Sequence, residues 1–161
     1  MERMVGKAVR TLDDKTTVLN FDSIKRGDRF VMEQEVTREK VMLFAQASGD
    51  FSLLHSDPQY ALNTRFGKVI AHGMLTGGFI SAALAGLGKD AMTAVYLEQF
   101  LKFHRPVVEG DILRVYLKIT CKNNTDKSLC LTTDCYNRRD RLVVSGRAKI
   151  RLDPYPYPQA A

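Results

Sequence analysis

Asp50 and His55 stand five residues apart in the run Ser48-Gly49-Asp50-Phe51-Ser52-Leu53-Leu54-His55, and Ala71-His72-Gly73-Met74 follows some fifteen residues later. On a regular helix, side chains meet at separations of three and four, so this spacing would leave the two groups on different faces. Gly49 and the Phe51-Ser52 link favour an irregular turn instead, in which carboxylate and imidazole converge. Such a pair is suited to gripping a water or moving a proton. Gly73 stands at the mouth of a long apolar helix, where an unpaired backbone N–H faces any oxygen that gains negative charge. The chain has no H-E-x-x-H, C-x-x-C, G-x-S-x-G elbow, P-loop or G-x-G-x-x-G after a strand. Three scattered histidines make a poor zinc set, so no metal is expected.

The elements that must carry these groups follow from periodicity. Phe30 to Val36 reads as a first strand. Thr37 suits an N-cap, Glu39 suits the first turn, and Val41, Phe44, Ala45 and Ser48 recur at helical spacing up to Gly49. Asp57-Pro58 restarts a helix that should run through Tyr60, Ala61 and Leu62 to Phe66, with Gly67 as its stop. From Gly73 to Leu87, large apolar residues occupy almost every side, interleaved with Gly77, Gly78, Ser81, Ala82 and Ala85. That pattern predicts a wholly buried helix which a sheet approaches closely. Four strands should follow, at Thr93–His104, Ile112–Cys121, Leu129–Cys135 and Val144–Leu152. In the second and fourth, apolar residues alternate strictly with polar ones, the signature of antiparallel strands with one wet face. Short turn-rich links at 123–126 and 137–140 make the set a meander. A sheet wrapped around the buried helix gives an α+β layout. Residues 1–20 are expected to form a flexible lead-in, 21–152 the folded domain, and 153–161 a proline-rich tail.

A chain of 161 residues suits one domain, and 45% apolar with 26% charged residues excludes a disordered or fibrous protein. The formal charge of +6 can attract nucleic acid, an anionic membrane or a phosphate-bearing small molecule. With no basic tail and no finger or RNP-like pattern, nucleic acid is not expected as a partner. Val69 to Leu87 is nearly apolar over nineteen residues, but His72, four glycines and two hydroxyl residues make it a buried helix rather than a membrane span. The three cysteines lack C-x-x-C spacing, and one is left over if two pair. Cys121 and Cys135 fall on the apolar phase of their strands, as free cysteines do when they serve as small hydrophobes in a reducing compartment. Lys7, Arg10, Asp13 and Asp14 near the N-terminus, without an apolar block, argue against a secretory or mitochondrial leader, and a cytoplasmic location is expected.

These residues resemble the MaoC-like, or (R)-specific enoyl-CoA hydratase, family of the hot-dog superfamily. The family pattern runs aromatic-x-x-x-S/T-G-D-x-N-P-L-H-x-D, then a second helix, then V-H-G-M-L. Phe44, Ser48, Gly49, Asp50, Leu54, His55 and Asp57 match the first part; Ile70, His72, Gly73, Met74 and Leu75 match the second. The likeness covers about residues 28 to 152. The family's Asn-Pro is Ser52-Leu53 here, which shortens one hydrogen-bonding side chain and loosens the turn. The resemblance implies a single hot-dog fold, usually a homodimer. It further implies reversible addition of water to trans-2-enoyl thioesters of coenzyme A or an acyl-carrier protein, giving (R)-3-hydroxyacyl thioesters without metal or redox cofactor. Asp50 and His55 would grip and activate the water, Asp50 being the favoured base, and Gly73 would serve the oxyanion. Ser52, His72, Ser81, Lys102 and Arg105 complete the candidates for binding substrate, His72 being read first as a structural neighbour. Lys102, Arg105 and the row Arg147, Lys149 and Arg151 are candidates for coenzyme A phosphates, and Phe51, Leu53, Tyr60 and Phe79 for the acyl chain. Thioester hydrolysis and non-catalytic binding of acyl thioesters are the rival readings.

Overall fold

In the computed structural model, which describes residues 9–12, 20–88 and 92–158, six strands and three α-helices form. The strands are β1 (Val9–Thr11), β2 (Arg29–Glu35), β3 (Met92–Phe103), β4 (Ile112–Asn123), β5 (Ser128–Asn137) and β6 (Leu142–Pro154). The helices are α1 (Arg38–Ser48), α2 (Pro58–Leu62) and α3 (Gly73–Ala85). One sheet holds all the strands in the order β1-β2-β4-β5-β6-β3, antiparallel except for the β1–β2 pair.

Alternation along the strands decides what faces the helix. Leu113, Val115, Leu117 and Ile119 of β4 are fully buried, and so are Leu129, Thr133 and Cys135 of β5. Apart from Thr133, they meet Leu75, Phe79, Ile80, Ala83 and Leu84 of α3 in one core, which also takes in Phe30 and Met32 of β2 and Ile150 and Leu152 of β6. Burying a residue of this size contributes roughly 1.5–3 kcal/mol. The expected α+β hot-dog layout, an antiparallel sheet around a long helix, is the fold observed.

Five expectations need correction. The strands are not a plain meander. Only β4, β5 and β6 pair in succession, while β3 crosses to the far side of β6 and becomes an edge. The long connection through Pro106 to Gly110 permits that crossing, whereas the tight turns between β4, β5 and β6 do not. The helix α3 is not wholly buried. Met74 is 56% exposed, and Gly78, Ala82 and Ala85 also face outward, because one sheet covers only one side of a helix. The helix α2 stops at Leu62 rather than Phe66, since Asn63 caps it and Thr64 Oγ1 donates to the Ala61 carbonyl in place of a further turn. In addition, Val9–Thr11 pairs in parallel with Arg29–Val31 and Leu12 is buried, so this part of the expected lead-in is docked. The rest of that lead-in, residues 1–8 and 13–19, lies outside the described residues.

Cys121 and Cys130 are opposite each other on β4 and β5, with Cα atoms 4.8 Å apart, and are joined as a disulfide. The register of the two strands, shifted by a bulge after Ile119, brings them together; their positions along the chain do not signal it. Cys121 is therefore not the free hydrophobe expected, whereas Cys135 is free and buried.

Candidate active site

The segment between α1 and α2 is built to turn. Thr37 caps α1 by accepting from the Lys40 N–H, and Gly49 ends it in the left-handed region at φ 75°, where a side chain would be strained. Ser48 Oγ donates to the Phe44 carbonyl and accepts from the Asp50 N–H. Asp50 Oδ1 then accepts from the Ser52 N–H at 3.2 Å, a turn closed by the side chain. Leu53–His55 adds one tight helical turn, closed by the His55 N–H on the Ser52 carbonyl at 2.9 Å. Asp57 caps α2 through the Gln59 and Tyr60 N–H groups, and Pro58 fills the first helical position. Arg38 Nη2 donates to the Ser56 carbonyl at 3.0 Å, tying the turn back to the start of α1.

Asp50 and His55 converge. A carboxylate oxygen of Asp50 and one ring nitrogen each of His55 and His72 lie within 4.8 Å of one another. Two groups at that separation can both hydrogen-bond one water, since each bond spans about 2.7–3.0 Å. His55 Nδ1 is 2.7 Å from the Ile70 carbonyl. A carbonyl only accepts, so Nδ1 carries the hydrogen, and in the neutral ring Nε2 holds a lone pair. The Ile70 N–H returns to the Leu54 carbonyl, so this strap and the turn hold each other. Asp50 is exposed and His55 partly buried.

Gly73 begins α3, whose first N–H groups have no partner within the helix. A Cβ on it would stand 3.2 Å from the Phe103 ring, so close packing and an open amide ask for glycine together. His55 and Gly73 line one cavity of about 240 Å³ between the start of α3 and the ends of β3 and β6.

The remaining candidates divide. Ser52 is exposed within the turn, next to the pair. Arg105 lines the cavity at its rim, with Nη1 on the Leu142 carbonyl, and Arg65, which sequence reasoning missed, lines it too. Lys102 does not reach it. That residue is exposed on β3 opposite Ser145. The row Arg147, Lys149 and Arg151 is likewise elsewhere: Arg147 lies over Phe100, Lys149 lines a groove with Cys130 and Thr132, and Arg151 pairs with Asp153. Alternation along β6 puts all three on the face away from α3. Ser81 faces a second cavity of about 460 Å³ between α3 and β3, with Met74, Gly77 and Tyr96. Burial raises the Tyr96 phenol above its ordinary range, and a hydrogen bond with Ser81 opposes that. Phe51, Leu53 and Tyr60 are exposed, while Phe79 is in the core. His72 is 2% exposed and lies along the same cavity as His55 and Gly73, as a structural neighbour of the pair. The Ile70 carbonyl, which sets the His55 tautomer, had no signal in the chain because a backbone group leaves no residue type behind.

Comparisons with known proteins identify the family and the fold. A family model described as a MaoC like domain matches residues 20–136. A 3-hydroxybutyryl-CoA dehydratase of Methylorubrum extorquens is 33% identical, covering 84% of this chain and 85% of that protein. An (R)-specific enoyl-CoA hydratase of Aeromonas caviae is 31% identical over 83% of this chain and 99% of its own length. Among solved structures, an unliganded (R)-hydratase of Pseudomonas aeruginosa superimposes with a TM-score of 0.75 at 35% identity, covering 81% of this chain and 83% of that one.

Proposed function

Because the chain belongs to the MaoC-like domain family, we propose that it adds water reversibly to trans-2-enoyl-CoA, giving (R)-3-hydroxyacyl-CoA, or removes it in the reverse direction. The observation that carries the reading is the approach of the Asp50 carboxylate to the His55 ring. With Nδ1 committed to Ile70, His55 offers a lone pair at Nε2, and Asp50 offers its carboxylate. Both groups accept, so a shared water gives a hydrogen to each and turns its own lone pair toward the substrate. The water oxygen bonds to Cβ, its proton passes to Asp50, and electrons move through Cα onto the thioester oxygen. The Gly73 N–H, at the positive end of α3, stabilises that oxygen. The proton now on Asp50, passed to Cα, completes the addition, so H and OH are added and nothing is oxidised. No metal or redox group is needed for this balance.

The same proposal extends to partners. Arg65 and Arg105 at the cavity rim suit the phosphates of coenzyme A, or an acidic carrier protein in its place. The outer edge of β3 has no strand partner among the described residues, and it carries exposed Tyr96, Leu97, Phe100 and Phe103 beside exposed Met74. A second copy of the chain pairing there would cover them. Chemistry of this kind belongs to fatty-acid metabolism.

The test is incubation with crotonyl-CoA and longer enoyl-CoAs in the presence of EDTA, with chiral analysis of the product. Reversible loss of the conjugated-enoyl absorbance and an (R)-hydroxy product are expected. Asp50→Asn and His55→Gln should each lower kcat by roughly 10²–10⁴ while the fold survives. Full activity in both variants would sink the assignment, and release of free coenzyme A would move it to thioester hydrolysis.

A further inference from the structure

We propose that His72 is a positioning residue for the acid–base pair, holding Asp50 through its backbone and His55 through its ring; the inference rests on the hydratase reading above. His72 is 2% exposed, so its ring is almost wholly enclosed by protein at the wall of the cavity that His55 and Gly73 line. Its Nε2 lies 2.9 Å from the Asp50 carbonyl and must carry the hydrogen, since the carbonyl only accepts. The other hydrogen bonds of Asp50, to the Ser52 N–H and the Ser48 hydroxyl, span two residues each. Those shape the turn locally. The bond from His72 spans 22 residues and ties the turn to the start of α3.

The ring contacts act on the second partner. The His72 and His55 centroids are 3.9 Å apart with planes tilted by 33°, and Phe44 flanks His72 at 5.0 Å. His55 is thus held in place by the Ile70 carbonyl at Nδ1 and by the His72 face, which together leave Nε2 one direction to point. Gly73 is the next residue, so the side chain that fixes both acceptors also precedes the amide assigned to the oxyanion.

Packing alone does not account for an imidazole here. His72 occupies the N-cap of α3 but makes no side-chain capping bond. Its Nδ1 is buried with no partner among the described residues. A phenylalanine would fill the same space and leave no such atom. The feature that an imidazole adds is the Nε2–H on Asp50.

Two variants separate these contributions. His72→Phe keeps the ring and removes the donor, and His72→Gln keeps a donor and removes the ring. In His72→Phe, kcat on crotonyl-CoA should fall roughly tenfold to a hundredfold, with KM within about twofold of wild type and melting unchanged. His72→Gln should recover part of the loss. Proton–nitrogen correlation spectra provide a second readout. The wild type should show His55 with its hydrogen on Nδ1 alone, and His72→Phe should shift the His55 ring signals. Wild-type kcat in His72→Phe overturns the proposal, and failure of both variants to fold also overturns it, because His72 would then be a core residue only. A wild type that hydrates no enoyl-CoA would defeat the reading of function instead; unaltered His55 signals in His72→Phe would then overturn the positioning role separately.

Discussion

Single side chains here depend on backbone partners as much as on one another. His55 owes its free nitrogen to the Ile70 carbonyl, and Asp50 owes its pose to a turn in which its own carboxylate accepts a backbone N–H. Gly73 is the third member, and its tolerance is narrow. A methyl group at that position would stand 3.2 Å from Phe103, so the ring or the helix start must give by a few tenths of an ångström. Gly73→Ala should therefore lower kcat by about tenfold or more, because the oxyanion donor moves while the acid–base pair stays. Steady-state kinetics on an enoyl-CoA, beside an unchanged far-UV spectrum, would check it.

Among the described elements, α2 is the shortest α-helix and the one most reliant on its cap. Five residues hold too few internal bonds to sustain a helix in isolation, so Asp57, accepting from Gln59 and Tyr60, contributes a large share of its stability. Asp57→Ala should cost about 1 kcal/mol, which for a chain of this size lowers the melting temperature by roughly 2–4 °C. Asp57→Asn, which can still accept, should cost much less. Calorimetry on the three proteins distinguishes them, and an equal loss in both variants would show that the carboxylate acts through charge rather than as a cap. The edge strand β3 makes a different prediction. If its free side seats a second copy, Leu97→Asp puts a charge into that contact and should convert a dimer into a monomer in sedimentation, with activity falling alongside.

For the molecule as a whole, the core sets how stability responds to alkali. Burial, assisted by the nearby Asp134 carboxylate, pushes the Cys135 thiol from 9.0 up to about 12. The folded chain therefore keeps this proton at pH values where the unfolded chain has lost it. Cys135 favours the folded state fully below about pH 9, and that contribution disappears as pH rises toward 12. Urea midpoints for wild type and Cys135→Ala should draw together between pH 9 and 11. In the native protein at pH 8, Cys135 should resist iodoacetamide, since both burial and protonation withhold the thiolate.

Local pattern carried much of this protein. Period-two alternation in β4 and β6, the caps at Thr37 and Asp57, and the stop at Gly49 are each readable within a few residues, and each is where the chain placed it. The joint spacing of Asp50, His55 and Gly73 was legible for the same reason, since a short turn joins the first two and a helix start defines the third. What lay beyond reach depends on contacts between distant segments: the crossing of β3 to the far edge, the register that pairs Cys121 with Cys130, the exposed side of α3, and the sorting of basic residues between cavity rim and outer face. Periodicity reports which face of an element is dry but not which neighbour it meets. His72 illustrates that limit, because its bond to Asp50 spans 22 residues and ends on a carbonyl, a group common to every residue.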